Sequence, residues 1–505
     1  MCIFNKKPCF FTLLQAKHKE YFTIFGLFTA KLEYLQNMVY NSLTKLNFIC
    51  GRCKMDIIIV GAGKIGANLT KLLALENHNI TVIDLSRRVI EALVNENDVI
   101  GYVGNGAAFK TQEETGVQGC DCFIAVTGND ELNIMSCMLA AKSGAKRTIA
   151  RVRSAEYSDQ LLFMQNKLGI DLLINPEFET ALEIARIIDF PSATKIETFA
   201  KGRIDLAEIL VTEESPLANL PLKNLKQVID VSILICAVKR GDEVIIPGGN
   251  FVILPGDRLH FTASRHTLPA AFRELGLQKK KIKSVLMVGG SRTSFYLAKA
   301  LLRAGKFVKL LEVNEERATQ LEAQLDGASI ICGDGTDTDI LTEEGLADFD
   351  AAIALTNIDE ENIILSMYAA QQGVRKTICK INRDPLAKMT AAMLKDCSVV
   401  CPKTNTAAII LRYIRAVEKV SGESLKTLYK ILDGGAEAAE FIAREDSALV
   451  GTPLRNLEFK AGNIIACVSS GKKVIIPDGN TVINPGDSVI VITSQALSSL
   501  GEILK

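Results

Sequence analysis

The spacing of hydrophobic positions changes at regular intervals from residue 55 onward. Short β-branched runs such as Ile57 to Val60 and Ile80 to Ile83 alternate with stretches in which apolar residues recur every three or four positions. The short runs are typical of buried strands, and the longer spacing is typical of amphipathic helices. Strands that alternate with helices predict a parallel sheet covered by helices on both faces. This pattern extends to about residue 175.

A second pattern begins near residue 192 and ends near residue 276. Its apolar runs, such as Val244 to Ile246, are short and are separated by turn pairs such as Pro255-Gly256. Such runs predict a small, mostly β domain of the α+β class with one or two helices.

Both patterns occur twice. Val60-Gly61 matches Val288-Gly289 at a distance of 228 positions, and the run from Ile245 to Asp257 matches that from Ile475 to Asp487 at 230. Two copies indicate a tandem pair of modules and not a solenoid. We therefore predict an α/β protein with two Rossmann-like parallel-sheet domains, each followed by a small α+β domain. The predicted bounds are 55–175, 192–276, 281–402 and 420–505.

Residues 1–54 differ in composition from the rest of the chain. They contain eight Lys or Arg residues but only two acids, Glu20 and Glu33, and ten of the thirty Phe and Tyr residues. A start codon placed too early, an accessory peripheral segment and a targeting peptide all fit this leader. Met55 directly precedes a strand pattern, so we expect the chain from 55 to 505 to fold and bind ligand without the leader.

The overall composition restricts the function classes. Lys plus Arg and Asp plus Glu both number 58, which gives no signature of nucleic-acid binding and no general attraction to anionic lipid. No run of about 18 apolar residues predicts a membrane-spanning helix. The thirteen cysteines are scattered, several inside apolar runs (Cys236, Cys332, Cys467), and predict buried free thiols. No metal site is predicted, since Cys50 and Cys53 lack a second pair of matching spacing.

The first copy contains a dinucleotide-binding signature. An apolar strand leads into Gly61-Ala62-Gly63-Lys64-Ile65-Gly66, and a helical pattern follows. In this context the first Gly permits the tight turn, the second lets the backbone approach a pyrophosphate, and the third lets the helix pack on the strand. The helix start then favours an anion.

Asp84 completes the signature about 20 residues later, at the end of the second strand pattern. A carboxylate there can accept hydrogen bonds from both ribose hydroxyls and repels a 2′-phosphate. NAD(H) is therefore favoured over NADP(H), although Arg87 and Arg88 weaken that preference.

The second copy departs from the signature. It contains Gly289-Gly290-Ser291-Arg292-Thr293-Ser294, so that Ser291 and Ser294 replace the second and third glycines. Glu312 still provides a carboxylate for a ribose, but a side chain at Ser291 crowds the approach of a phosphate. We expect the first copy to be the main nucleotide sensor, and nucleotide binding by the second copy stays open.

From about residue 55 to residue 505 the chain resembles the TrkA family, the peripheral subunits of bacterial Trk potassium-uptake systems. The resemblance implies two nucleotide-binding domains of the regulator-of-potassium-conductance (RCK) type, each followed by a small C-terminal domain. It implies a cytoplasmic homo-oligomeric ring, peripheral on the inner face of the cell membrane, that gates a Trk-type potassium transporter. The implied ligands are NAD(H), with ATP or ADP as alternatives.

Matching positions carry the implied binding residues into both copies. Each set combines the glycine-rich turn, the ribose carboxylate and polar residues that follow later strands. The first set is Gly61, Ala62, Gly63, Lys64, Ile65, Gly66, Asp84, Thr127, Gly128 and Arg151. The second set is Gly289, Gly290, Ser291, Arg292, Thr293, Glu312, Thr356, Asn357 and Lys380.

Two other functions remain open on the sequence. An NAD-dependent dehydrogenase would use the same nucleotide signature, but the second copy contains no His, and no Tyr has a Lys four positions later. We therefore expect no enzyme and no catalytic residue. A regulator of another potassium channel or of an efflux antiporter would share the fold.

Overall fold

The computed structural model describes residues 54–154, 167–191, 195–199, 204–241, 243–264, 266–277, 281–394, 397–418, 424–431, 435–471, 473–495, 497 and 499–505. Residues 1–53, which include almost the whole leader with Cys50 and Cys53, lie outside this part of the chain.

The first Rossmann domain is a six-stranded parallel sheet with the strand order β3-β2-β1-β4-β5-β6. Its central strands β1 and β4 are buried apart from Asp56, as expected for a sheet with helices on both faces. Its elements are β1 (Asp56–Val60), α1 (Lys64–Ala74), β2 (Asn79–Asp84), α2 (Arg87–Glu96), β3 (Ile100–Val103), α3 (Phe109–Glu114), β4 (Cys122–Ala125), α4 (Asp130–Lys142), β5 (Thr148–Arg151) and β6 (Leu172–Ile174).

A long helix follows the sheet and leads into the first small domain. The small domain is a five-stranded antiparallel sheet with the order β10-β9-β11-β8-β7 and one short helix. The elements are α5 (Pro176–Asp189), β7 (Lys195–Phe199), β8 (Ile204–Leu210), a 3-10 helix (Leu222–Gln227), β9 (Leu234–Arg240), β10 (Glu243–Ile245), β11 (Arg258–Ser264) and α6 (Leu268–Glu274).

The second Rossmann domain repeats the topology of the first, with the parallel order β14-β13-β12-β15-β16-β17. Its elements are β12 (Ser284–Val288), α7 (Arg292–Arg303), β13 (Phe307–Glu312), α8 (Glu315–Gln324), β14 (Ser329–Cys332), α9 (Thr338–Glu343), a 3-10 helix (Leu346–Asp348), β15 (Ala351–Ala354), α10 (Asp359–Gln371), β16 (Lys376–Lys380), α11 (Asp384–Met393) and β17 (Cys397–Val400).

The second small domain also repeats the first, with the antiparallel order β18-β19-β22-β20-β21. Its elements, after the long helix α12 (Pro402–Glu418), are β18 (Ser424–Ile431), β19 (Ala436–Ile442), a 3-10 helix (Leu454–Asn456), β20 (Asn463–Ser470), β21 (Lys473–Ile475), β22 (Ser488–Thr493) and a 3-10 helix (Leu500–Ile503). The predicted α/β class with two Rossmann-like domains and two small, mostly β domains is confirmed.

The helices α5 and α12 each cross to the opposite Rossmann domain. Ala181, Ile184 and Ile188 of α5 belong to the core of the second domain, together with residues of β12 and α7. Ile410 and Ile414 of α12 belong in the same way to the core of the first domain. Each Rossmann domain is therefore completed by a helix that follows the other one in sequence, and we call α5 and α12 the crossover helices.

The two small sheets also pack against each other. Leu206 and Cys236 of the first share a buried cluster with Ala466 and Ile490 of the second. Thr262 donates a hydrogen bond of 2.8 Å to the carbonyl of Ala466. The two halves of the chain thus contact each other in two places, through the crossover helices and through the two small sheets.

Two sequence-based expectations concern individual features. Within the described residues, no helix has the length and apolar character needed to cross a membrane. Cys236 and Cys467 are buried free thiols, but the expectation that Cys332 is buried is wrong: it ends the edge strand β14 and is exposed.

Candidate functional site

The glycine-rich turn of the first copy joins β1 to α1. Gly61 has a φ of +98°, which strains any residue with a β-carbon, and a β-carbon there would lie 2.9 Å from the Thr127 amide nitrogen. A β-carbon on Gly66 would lie 1.8 Å from the Gly61 carbonyl oxygen. The first and third glycines therefore allow β1, α1 and the segment after β4 to pack closely.

Gly63 has a different role, because its backbone conformation (φ −67°, ψ −169°) is open to any residue. No described atom lies within 4 Å of the position that a β-carbon on Gly63 would take. Because Gly63 has no β-carbon, a space stays open beside the N-terminus of α1. Gly63 has no side chain to cap this helix, and the first turn contains no acidic residue. Unsatisfied amides and the helix dipole make such a terminus a binding site for phosphate.

Asp84 lies next to this turn, at the carboxyl end of β2. Its two carboxylate oxygens accept hydrogen bonds from the backbone amides of Ala62 (2.7 Å) and Ser86 (2.8 Å). The carboxylate is thus fixed beside the glycine-rich turn and is partly exposed. The other turn residues predicted to bind are Lys64, exposed at the first position of α1, and Ile65, which packs against the core.

The remaining predicted residues of the first set lie at the same edge of the sheet. Thr127 and Gly128 follow β4, and Arg151 is the last residue of β5. Asn133 of α4 connects them: its Oδ1 accepts from the Thr127 amide (2.9 Å) and hydroxyl (2.7 Å), and its Nδ2 donates to the Arg151 carbonyl (2.9 Å). The Arg151 guanidinium donates to the Thr127 carbonyl at 3.2 Å. Burial lowers the pKa of Arg151, and nearby Glu177 opposes that shift.

The equivalent turn of the second copy is closed by its own side chains. Ser291 adopts the backbone conformation of Gly63 (φ −64°, ψ 169°), and its hydroxyl oxygen accepts from the Ser294 amide at 3.3 Å, which caps α7. The Ser294 hydroxyl donates to the Gly289 carbonyl. The serines thus satisfy groups that the glycines of the first copy leave free. Arg292 is exposed and Thr293 is buried at the start of α7.

Glu312 of the second copy lies where Asp84 lies in the first. It accepts from the amides of Gly290 and, at 2.8 Å, Asn314. Arg317 donates through Nε to the Gly290 carbonyl at 2.8 Å. The longer Glu side chain fills the space beside Gly290, since a β-carbon there would lie 2.6 Å from a Glu312 oxygen.

The remaining residues of the second set repeat the network of the first. Asn362 accepts from the amide and hydroxyl of Thr356, both at 2.9 Å, and donates to the Lys380 carbonyl at 2.9 Å. Asn357 is exposed beside Thr356. The Lys380 ammonium is buried and donates to the Leu355 carbonyl at 3.1 Å. Burial lowers the pKa of Lys380 to about 8, against the opposing charges of Asp359 and Glu177.

Glu177 lies between the two sets of residues. It is in the first turn of crossover helix α5, and one carboxylate oxygen is 4.0 Å from Nη2 of Arg151. Its negative charge also raises the pKa of Lys380 in the second copy. A single carboxylate therefore acts electrostatically on one cation of each copy, the partly buried Arg151 and the buried Lys380.

Sequence reasoning missed Asn133, Asn362 and Glu177 as parts of the site. The two asparagines occupy matching positions in the runs Asn129 to Asn133 and Ile358 to Asn362, and both are fully buried. A polar residue repeated in a duplication was the signal that could have found them. No comparable signal marks Glu177, because its match is Lys403. No cluster of His, Cys, Asp or Glu suited to a metal occurs in the described part of the chain.

Comparisons with known proteins show the same order of domains. The TrkA-N domain family matches residues 57–176 and 285–396, and the TrkA-C domain family matches residues 206–276 and 438–505. In solved structures, the RCK domain of GsuK covers 87% of this chain with 92% of its own, at 18% identity and a TM-score of 0.57. The GsuK channel bound to NAD covers 87% of this chain with 77% of its own, at 18% identity and a TM-score of 0.58. At 18% identity, this structural similarity shows that the chain shares the fold of these proteins.

Relatives of known name extend over nearly the whole described region. The Trk system potassium uptake protein TrkA homolog 1 of Methanosarcina mazei is 32% identical over 456 residues, which are 88% of this chain and 98% of the relative. The TrkA homolog of Archaeoglobus fulgidus is 32% identical over 452 residues, 89% of this chain and 100% of the relative. TrkA of Halomonas elongata is 33% identical over 443 residues, which are 86% of this chain and 95% of the relative. With both domain families matched twice and in the same order, the chain belongs to the TrkA family of Trk system potassium uptake proteins.

Proposed function

We propose that this protein is the cytoplasmic, nucleotide-binding regulatory subunit of a Trk-type potassium uptake transporter. In this proposal NAD(H) binds the first Rossmann domain, ATP or ADP being alternative ligands, and the bound nucleotide changes potassium transport. The relatives named as Trk system potassium uptake proteins support the potassium-transport role, and the NAD-bound GsuK channel supports the ligand class.

The open space beside Gly63 at the uncapped start of α1 is the observation that carries the nucleotide part of the proposal. The amides of α1 would hold the pyrophosphate, and Asp84 would accept hydrogen bonds from the ribose hydroxyls through its free lone pairs. A carboxylate has about four acceptor positions, and the two backbone amides that Asp84 accepts use only two of them. Thr127 and Arg151 would then contact the remainder of the ligand.

The transporter partner is proposed to bind a homo-oligomer of this chain on the inner face of the membrane. A nucleotide can gate that partner only if it binds two shapes of the assembly with different affinities. The crossover helices provide a route for such a difference, because α5 begins beside Arg151 and ends in the core of the second domain.

We propose no catalytic activity for the protein. The polar residues at the edge of the first sheet bond to backbone groups and to each other, and the second copy contains no histidine for proton transfer. A substrate-dependent change in NADH absorbance would instead favour the dehydrogenase alternative.

The decisive experiment is co-purification of the tagged protein with membrane potassium transporters, followed by flux measurements in reconstituted vesicles. We expect a Trk-type transporter to co-purify and its potassium flux to depend on added NADH. Co-purification with an efflux antiporter or a different channel would replace the Trk assignment. Flux that does not respond to NADH, ATP or ADP would remove the nucleotide from the mechanism.

A further inference from the structure

Each crossover helix ends in an ion pair with the Rossmann domain that it covers. Asp189 is the last residue of α5, and its Oδ1 lies 3.1 Å from Nζ of Lys306, in the turn before β13. Lys306 also donates to the Ile282 carbonyl at 3.1 Å, and its side chain is only 13% exposed. The cation is thus fixed on the second domain, and the acid comes from the first crossover helix.

The other crossover helix forms an ion pair of opposite polarity. Arg415 of α12 donates through Nε to the two carboxylate oxygens of Glu76, at 3.0 and 3.1 Å, and its Nη2 donates to Glu76 as well. Glu76 belongs to the turn between α1 and β2 of the first domain. The two side chains are 10% and 9% exposed, so the charges depend on each other for their stabilisation.

Asp189 and Arg415 occupy equivalent positions. Thr180 and Thr406 each donate to the carbonyl of the proline that begins their helix, which sets a register of 226 positions between α5 and α12. That register places Asp189 on Arg415.

The turns that meet these helices are equivalent as well. Asn77 and Gly305 both have positive φ, 68° and 71°, at positions 228 apart. Glu76 then matches Ala304, and His78 matches Lys306. The first turn therefore presents an acid, the second presents a cation, and the helix ends carry the complementary charges.

We propose that these charges select pairing of the first Rossmann domain with the second, and disfavour pairing of like domains from two chains. Two first domains would place Asp189 at His78, the position that matches Lys306, and beside the Glu76 carboxylate, which lies 4.0 Å from Nε2 of His78. Two second domains would place Arg415 against Lys306, with Ala304 where the acid should be. Like charges brought together disfavour the wrong partner, because the charge on the Rossmann domain is largely buried, 9% exposed at Glu76 and 13% at Lys306. This selection is independent of nucleotide binding.

An aromatic contact at the other end of α5 supports the same selection. Phe178 packs edge-on against Tyr296 of α7 with ring centroids 5.4 Å apart, and Asn175 donates to the Tyr296 hydroxyl at 3.0 Å. Asn68 matches Tyr296 in the first domain, and Thr404 matches Phe178 on α12. The first crossover helix therefore has specific contacts with the second domain near both of its ends.

The test removes the selection while keeping every ion pair. The full chain with Asp189→Arg and Lys306→Glu retains both contacts, with one reversed in polarity. In this double variant each crossover helix has an arginine in its last turn and each turn of the Rossmann domains presents a glutamate, so like domains are no longer disfavoured. Adding Glu76→Lys and Arg415→Asp gives a quadruple variant in which all charges are reversed and the selection is restored.

The readout is a cross-link between like domains. All chains carry the substitutions Asn68→Cys and Phe178→Cys. The two new cysteines come close together only if α5 of one chain covers the first Rossmann domain of another. Mixed ¹⁴N- and ¹⁵N-labelled chains are refolded together at increasing concentration and treated with a short bis-maleimide, and the 68–178 peptide joining two chains is counted by mass spectrometry. Chains without the two new cysteines control for the native thiols.

We expect the double variant to form the between-chain 68–178 link about tenfold more often than the unsubstituted background, the change that corresponds to about 1.4 kcal/mol. The quadruple variant should return to the background level. Equal yields of the 68–178 link in all three proteins, or a quadruple variant that forms as much of the link as the double variant, would overturn the proposal.

If the double variant does not fold, the pair Glu76→Lys with Arg415→Asp tests the same selection at the other crossover helix. Its reporters are Tyr296→Cys and Thr404→Cys, which should link two second domains, and a background yield there would also overturn it.

Discussion

Asp84 is oriented by the backbone that the ligand would also contact. The Ala62 amide that it accepts belongs to the glycine-rich turn, so the carboxylate couples the ribose position to the phosphate position. Glu312 has the same pair of backbone contacts in the second copy, but with a longer side chain lying over Gly290. The two acids are therefore equivalent in sequence and different in the space they leave for a ligand.

Replacing Asp84 with Asn tests the ribose contact. Hydrogen bonds to a charged acceptor contribute roughly 1.5–3 kcal/mol, so affinity for NADH should fall by about 10- to 150-fold. Calorimetric titration measures the change, and Glu312→Gln is the matched control in the second copy. Unchanged affinity in Asp84→Asn would exclude Asp84 from the site.

Lys380 predicts a pH dependence of stability. Its pKa falls from 10.5 to about 8 on folding because burial disfavours the charged form. Between these values the unfolded chain binds a proton that the folded chain does not, so stability contributed by this group falls as the pH drops from about 10.5 to 8 and is constant below that range. The total change is roughly 2–5 kcal/mol.

Urea unfolding of the natural chain and of Lys380→Met, at several values between pH 8 and pH 10.5, isolates this contribution. The stability difference between the two proteins should change in favour of the natural chain as the pH rises. A difference that stays constant across this range would show that Lys380 is not desolvated in the folded protein.

The sequence indicates the geometry of the glycine-rich turn better than the side-chain contacts behind it. Gly61, Gly63 and Asp84 are recognisable because their spacing follows from a strand-turn-helix geometry that is local in the chain. Asn133 acts on Thr127 and Arg151 through contacts that depend on where three separate elements meet. Such contacts are set by tertiary packing, which a single sequence does not specify.

The two glycine-turn helices begin differently, and this difference belongs to the scale of the element. In α7 the Ser291 hydroxyl occupies the first-turn amide of Ser294, whereas in α1 the equivalent position is Gly63. An anion at α7 must compete with a bond that the helix already makes. An anion at α1 meets no such competition.

Gly63→Val should therefore abolish nucleotide-dependent potassium flux, while Ser291→Val should leave most of it. The Gly63 backbone accommodates a β-carbon, which would have no described atom within 4 Å, so the valine side chain would occupy the phosphate space at an unstrained backbone position. Loss of the Ser291 cap costs about 1 kcal/mol of stability, which thermal unfolding can monitor. Potassium flux in reconstituted vesicles shows which copy senses the nucleotide. If only Ser291→Val abolishes the response to nucleotide, the second copy is the main sensor.

The crossover helices mark the limit of prediction for the elements. The apolar face of α5, with Ala181, Ile184 and Ile188, is readable as a helix that covers a sheet. The duplication provides two similar sheets, and the periodicity of α5 fits both. The choice between them depends on terminal charges and on Phe178, which act over more than 100 positions of sequence.

At the scale of the whole molecule, Glu177 links the two copies. Its carboxylate lies 4.0 Å from Arg151 and opposes the loss of charge on Lys380, so the part of the ligand that contacts Arg151 would compete with Glu177. Glu177→Gln should raise the affinity of the first site for NADH by up to about fivefold, since ion pairs of this kind contribute roughly 0.2–1 kcal/mol.

Calorimetric titration of Glu177→Gln and of Glu179→Gln tests this link. Glu179 lies in the same helical turn, and the charges that act on it come from Arg186 and Arg412. The control should therefore bind NADH like the natural chain. An equal gain in both variants would point to the helix terminus in general and not to Glu177.

The exchange of crossover helices also sets an order of events during synthesis. The first sheet is complete at Ile174, but Ile410 and Ile414, which cover its face beside Leu69 and Leu73, emerge from the ribosome more than 200 residues later. At 5–20 residues per second the first domain waits roughly 10–50 s with an apolar face uncovered. A fragment of residues 55–175, which ends before α5, should therefore bind a hydrophobic dye and aggregate, and adding a peptide of residues 402–418 should suppress both. A fragment that stays monomeric and dye-free would mean that its face closes without its distant partner, and the newborn chain would then need no protection by chaperones during that interval.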